Sequence, residues 1–184
     1  NKNFKALANV VYSADGTELV MVGVGATAVT VAEGTKVILA NSFDLAKTAA
    51  TITFPVTLVN VKANALDGTA WFAAQNGVVY AGPVLYKVKG EVADVVVAEG
   101  TTSIADGAVK NAAVKTVTLP ATLVNIGVNA FEGAGIAEIT VPDIVKNIEN
   151  NQGIDIISKN NIINDIENNQ TLYHTLKFDN KIIG

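Results

Sequence analysis

Thr51-Ile-Thr-Phe-Pro-Val-Thr-Leu-Val-Asn-Val61 and Thr116-Val-Thr-Leu-Pro-Ala-Thr-Leu-Val-Asn-Ile126 are two copies of one phrase. A third copy opens at Glu138-Ile-Thr-Val-Pro142. A second phrase, Val29-Thr-Val-Ala-Glu-Gly-Thr35, returns as Val95-Val-Val-Ala-Glu-Gly-Thr101. Anchored on the middle strand residue, the copies sit at Thr30, Thr53, Val96, Thr118 and Thr140, with spacings of 23, 43, 22 and 22 residues. The spacing of 43 is two units, so a degenerate unit is expected near Phe72 to Gln75. A fixed period of this length is the mark of a repeat architecture. One such unit cannot bury its apolar face alone, and stacked copies form a continuous core.

Within a unit the residues alternate. Val117 and Leu119 should point inward while Thr118 points out, because successive side chains of a strand face opposite sides. Pro55, Pro120 and Pro142 end the strands, since proline cannot donate to a ladder. The phase predicts a core of Val117, Leu119, Leu123, Ile126 and Phe131, joined by Ile139 and Val141 of the next unit. A longer repeat is superimposed. Val10 to Val22 resembles Val78 to Val88, each with two apolar runs around a turn-rich centre, Ala14-Asp-Gly16 and Ala81-Gly-Pro83. Both read as β-hairpins.

The composition changes near Asp143. Residues 144–184 hold ten Ile, nine Asn and no Ala. The expected organisation is a repeat array over 1–145, with hairpin insertions at 10–22 and 78–88. An Asn/Ile-rich cap or set of degenerate repeats would follow over 146–184. Asp143 to Gln152 and Asn161 to Gln170 match each other at a period of 18 residues. Ile144, Val145 and Ile148 have helical spacing, as do Ile162, Ile163 and Ile166, whereas Ile154 to Ile157 and Leu176 to Phe178 read as strands.

Of 184 residues, 49% are hydrophobic, 16% charged and 6% aromatic, so the core is built from small aliphatics. The net charge is −4, and all thirteen bases are Lys. Without Arg the chain lacks the fork that reads phosphates and guanine edges, and with this acidity no nucleic-acid partner is expected. No Cys is present, and His174 is the one His, so thiol chemistry and Cys- or multi-His-bound metals are excluded. No metal and no cofactor is expected. The apolar stretch Leu19 to Val31 is too short to span a bilayer. The chain begins with Asn1, so any targeting segment is expected outside it.

These residues carry a resemblance. Val117-Thr-Leu-Pro120, Leu123, Ile126-Gly127 and Ala130-Phe131-Glu-Gly133 resemble the BspA-type leucine-rich repeats of bacterial, and some protist, surface proteins. The Gly77 to Tyr80 hairpin is similar to an insertion common there, and the likeness covers residues 10 to about 148. At the Ala-Phe position other units carry Ser42-Phe43, Ala65-Leu66 and Ala108-Val109. The resemblance implies a leucine-rich-repeat solenoid with an extracellular or cell-surface location and a binding or adhesion role. It supplies no catalytic residue.

The candidate site is the outward strand ladder of Thr30, Thr53, Thr118 and Thr140, a hydroxyl face stacked in register that could contact an extracellular protein or glycan. Threonine also suits any half-exposed strand. An ice-binding array would need more copies. None of the four serines lies in a nucleophile elbow that His174 could serve. Glu33 and Glu99, three units apart, would stand about 14 Å from one another at ~4.8 Å per strand, too far for a glycosidase pair. They read as turn residues before Gly34 and Gly100. Asn169-Gln170-Thr171 fits a glycosylation sequon by chance, and no Asp/Asn spacing fits a calcium loop. The expected function is therefore non-enzymatic surface interaction. A passive spacer in a larger surface protein is the alternative, and a hydrolase the weakest one.

Overall fold

The computed structural model describes residues 3–110, 112–136, 138–149, 151 and 155–158. It opens on an antiparallel meander of β1 (Phe4–Leu7), β2 (Val10–Ser13) and β3 (Glu18–Val22). Short strands follow: β4 (Ala28–Thr30), β5 (Val37–Ile38), β6 (Thr51–Thr53) and β7 (Asn60–Val61). A single helical turn, α1 (Ala70–Ala73), precedes a second hairpin of β8 (Gly77–Ala81) and β9 (Val84–Lys89). Then come β10 (Asp94–Val96), β11 (Ser103–Ile104), β12 (Thr116–Thr118), β13 (Asn125–Ile126), β14 (Glu138–Val141), β15 (Asn147–Ile148) and β16 (Asp155–Ser158). The result is a mostly-β solenoid.

Each turn contributes two strands, not one. The Thr-x-Thr strands form parallel pairs β4–β6, β10–β12 and β14–β16. The two-residue strands form a second parallel ladder on another side of the coil, β3–β5–β7 and β9–β11–β13–β15. In β7 and β13 the aliphatic residue turns inward and the Asn before it outward, whereas Ser103 of β11 is buried along with Ile104. Ile38, Val61, Ile104 and Ile126 are buried, while Asn60 and Asn125 are only half-buried. Ile144, Val145 and Ile148, expected to be helical, belong to a turn and to β15, because the tight repeat leaves two residues where a helix would need several. Both ladders continue past residue 145. The step shortens there, with Glu138 lying opposite Asp155 where Thr116 lies opposite Asp94.

A bend follows β5, β7, β11 and β13, and one residue in the left-handed region makes it. Asn41, Asn64 and Asn129 have φ of 59°, 61° and 51°, and Gly107 has 62°. Asn and Gly tolerate this conformation best. The bend drops the next two residues into the core, so Ser42-Phe43, Ala65-Leu66, Ala108-Val109 and Ala130-Phe131 are all buried. The Ile-Gly pair has a separate cause. Any side chain on Gly127 would collide with the Asp106 carboxylate and with the backbone of the turn below.

Side chains lock adjacent turns. The Thr57 hydroxyl accepts from Gly34 N–H at 3.0 Å and donates to Thr35 C=O at 2.9 Å. Thr122 does the same for Gly100 and Thr101 at 3.2 and 2.9 Å. Ser103, Asn125 and Asn147 form a second chain, the amide of each Asn donating to the residue one turn earlier at 3.1 and 2.6 Å. Each such bond adds about 0.5–1.5 kcal/mol. The hairpins are used alike, with Tyr12 and Tyr80 each accepting a backbone N–H, from Ala32 at 3.0 Å and from Ala98 at 2.9 Å.

The duplication therefore appears as two hairpin-led halves over one continuous core. Among the described residues no backbone hydrogen bond crosses from the segment before Gly77 to the segment after it. Side chains make the junction. Asp106 pairs with Lys62 at 3.1 Å and accepts from the Asn60 amide at 3.2 Å and from Val128 N–H at 3.1 Å. Tyr86 donates to Asp67 and accepts from Leu66 N–H at 3.1 Å. Burial, reinforced by the Asp67 carboxylate, drives the Tyr86 hydroxyl pKa well above the usual phenol value.

Candidate functional site

Thr30, Thr53, Thr118 and Thr140 all point to solvent. They do not form one ladder. Thr30 lies opposite Thr53, but Thr118 lies opposite Val96 and Thr140 opposite Ile157. The expected stack in register is thus divided into three two-strand pieces. The first break has a clear origin. After β6 the chain forms α1 instead of a strand. Ala70 and Trp71 donate to Lys47 and Ala49 carbonyls at 2.9 and 2.7 Å, and Thr69 caps the turn through Phe72 N–H at 3.0 Å.

The second break lies between β12 and β14. In the intact pairs a rung closes the strand end: Val31 N–H donates to Thr53 C=O, and Val97 N–H to Thr118 C=O, both at 3.0 Å. The matching bond from Leu119 N–H to Thr140 C=O is absent. The strands part there, leaving an open hollow of about 570 Å³, lined by β12 from Lys115 to Leu119 and by Thr140 and Pro142. The opening also corrects the predicted core. Val117 and Leu119 are only half-buried, whereas Leu123, Ile126, Phe131, Ile139 and Val141 are buried as expected.

The structure thus brings together two of the four threonines, Thr118 and Thr140, around an uncovered apolar floor. Thr30 and Thr53 stand apart, at the other end. Val96, in register with Thr118 and 73% exposed, extends the face with a methyl pair where the other repeats carry threonine. The Val95-Val-Val97 run carried that signal, since its middle residue must point out. Thr116 donates its hydroxyl to Asp94 at 2.6 Å beside the hollow. Among the described residues no cluster of three His, Cys, Asp or Glu side chains could hold a metal. His174 and the Asn169 sequon lie outside the described residues, as does most of the expected C-terminal cap. Glu33 and Glu99 occupy exposed turns before Gly34 and Gly100, whose φ values of 88° and 85° demand glycine.

The hairpin tip is a separate polar feature. Asp15 accepts from the Ser13 hydroxyl at 2.6 Å, from Thr17 N–H at 3.0 Å and from the Thr17 hydroxyl at 2.9 Å. These bonds, the Ser13 hydroxyl foremost, lower its pKa from 3.8 to about 2.

A BspA type Leucine rich repeat region, six copies in all, matches residues 83–176, half of the chain. The chain belongs to the BspA-type leucine-rich-repeat family. Among solved structures this BspA-type array is similar to a leucine rich cell surface protein from Faecalibacterium prausnitzii A2-165. The two are 17% identical with a TM-score of 0.39, over 83% of this chain and 54% of the other. The array therefore spans about half the length of that protein. No curated protein matches it. Among the described residues no helix of the array is long and apolar enough to cross a membrane.

Proposed function

We propose that this BspA-type array is a non-enzymatic interaction module of a cell-surface or secreted protein. It binds a protein or glycan of a host or neighbouring cell through its Thr-bearing strand face, and the hollow between Thr118 and Thr140 is the main contact. The open rung carries the reading. It leaves Leu119 N–H without a ladder partner beside two solvent-facing hydroxyls and a half-exposed leucine. A surface that mixes free donors with apolar floor suits a partner presenting both oxygen atoms and a nonpolar face. Family membership supports surface adhesion as the setting, and the likeness to a protein described as a cell surface protein agrees with it in name.

The test is an array of matrix proteins and glycans probed with the wild type and with the Thr53→Lys, Thr118→Lys, Thr140→Lys triple variant. Binding by the wild type and its loss in the variant, with Tm within a few degrees, is the expected result. Binding that survives the triple change but disappears on deleting Ser13 to Thr17 transfers recognition to the hairpin tip of Asp15 and Glu18. An array with no binding at all leaves the passive spacer.

A further inference from the structure

The turn that carries β14 is held on one side only. On the side of the two-residue strands it is bonded rung by rung. Lys146 and Asn147 N–H donate to Val124 C=O at 2.9 and 3.3 Å, and Glu149 N–H donates to Ile126 C=O at 2.9 Å. The Asn147 amide donates to Asn125 at 2.6 Å. Asn151, 1% exposed, closes this side, its amide donating to Gly127 C=O at 3.0 Å and its oxygen accepting from Phe131 N–H at 3.2 Å. On the side of the Thr-bearing strands β14 is not paired with β12, and Leu119 N–H has no partner among the described residues.

A missing clasp explains the difference. In both earlier pairs a glycine below and a threonine above pin the turns that follow the strands. Gly34 and Gly100 are third residues of tight turns, closed by Thr35 N–H to Ala32 C=O and by Thr101 N–H to Ala98 C=O at 3.2 Å each. Their φ values of 88° and 85° turn their N–H groups toward the hydroxyls of Thr57 and Thr122. One turn later both parts are gone. Thr122, without a positive φ, stands where the glycine did. Ile144 stands two residues after Pro142, where Thr57 and Thr122 stand after Pro55 and Pro120. Ile144 is 49% exposed, so its side chain does not replace the clasp by core packing.

Taking the hollow as the contact surface proposed above, we infer that the turn carrying β14 is a flap hinged on the β13–β15 ladder, which opens and closes the hollow, and that a partner seated there holds it open. Closing forms the bond from Leu119 N–H to Thr140 C=O, repeats the rungs of β4–β6 and β10–β12, and covers the half-buried Val117 and Leu119. Nothing at Ile144 then holds the flap shut. Ile139, Val141 and Val145 are already buried with the rung open, so the flap swings without leaving the core. A partner that binds the open form alone shifts the population toward it by its differential affinity for the two forms.

Amide hydrogen exchange of the full chain, read residue by residue by NMR, tests the flap without a ligand. Leu119 should exchange faster than its repeat mate Val97, whose rung to Thr118 is closed, and slower than a free peptide. Glu149, on the hinge side, should stay as slow as Gly127 one turn earlier. Ile144→Thr returns a hydroxyl to the clasp position, facing Leu123 C=O, the mate of the Thr35 and Thr101 carbonyls. One added hydrogen bond favours the closed form, so exchange at Leu119 should slow about 2- to 10-fold in that variant. Leu119 as slow as Val97, or at the free-peptide rate in both proteins, overturns the flap. So does unchanged exchange at Leu119 in Ile144→Thr, and so does Glu149 exchanging in step with Leu119, which means that the whole turn unfolds. If the variant fails to fold, the wild-type rates of Leu119, Val97 and Glu149 still decide. On the array of matrix proteins and glycans, a ligand lost by the triple Lys variant should bind Ile144→Thr more weakly by the factor that slows Leu119. Undiminished binding overturns the gating. An array with no binding counts against the proposed function alone, because exchange at Leu119 needs no ligand.

Discussion

Removing Asp106 should uncouple the two halves of the solenoid. This residue is 9% exposed and holds three partners at once: the Lys62 ammonium at 3.1 Å, the Asn60 amide at 3.2 Å and Val128 N–H at 3.1 Å. Two of the three come from the first half. Hydrogen bonds to a charged group contribute about 1.5–3 kcal/mol each, and losing a shared acceptor leaves donors stranded. Lys62 keeps a third of its side chain in water and recovers part of the loss by hydration. The net cost of Asp106→Ala is then about 2–4 kcal/mol, well below the sum of the three bonds. Asp106→Asn keeps an acceptor for Val128 and should cost about half as much. The shape of the transition is the stronger signature. Among the described residues the halves share apolar core but no backbone hydrogen bond. In a repeat protein, weakening one interface lets the blocks on either side unfold separately. Urea unfolding followed by far-UV circular dichroism and by the fluorescence of Trp71, which lies in the first half, should therefore coincide in the wild type and separate in Asp106→Ala. A loss below about 0.5 kcal/mol with still-coincident curves would refute the clamp, since surface substitutions fall within that range.

Phe131→Ala, at a fully buried position, should cost about 3–5 kcal/mol through lost transfer energy and the cavity left behind, whereas the exposed Thr118→Ala should cost under ~0.5 kcal/mol; chemical denaturation of both variants measures the contrast. The carboxyl carbon of Asp15 should titrate near pH 2 by NMR, and Ser13→Ala should move that midpoint up toward 3.8. Because the folded value is the lower one, the tip bonds stabilise the hairpin above about pH 3.8 and lose that effect as pH falls through about 2, so a flat hairpin signal over this interval would contradict them.

The Thr-x-Thr strands were legible because their residues alternate with period two and end at proline, and because the copies align. The hairpins were legible from Tyr12 and Tyr80 with their flanking valines. The second ladder was not, since a two-residue strand such as Asn60-Val61 carries no alternation to detect. Nothing within one repeat marks its outward asparagines, and only stacking one turn on the next reveals the bond from Asn147 to Asn125. The same limit explains the site. Solvent exposure of the four threonines follows from the pattern within one repeat. Whether they meet depends on the rungs between repeats, which α1 replaces in one place and a missing Leu119 bond opens in another. Val117 and Leu119 were assigned to the core from that same alternation, which holds for their repeat mates Val95 and Val97, buried where the rung is intact.

The junction between the halves has a mechanical meaning. A tensile load along the coil axis is carried elsewhere by backbone bonds in parallel, which must break together. Across the step from β7 to β9 the load passes to a handful of side-chain bonds, chiefly those of Asp106 and Tyr86, and to packed methyl groups. Such a seam yields first and lengthens the molecule by releasing chain near α1, while each half keeps its own folded coil and the surface it presents.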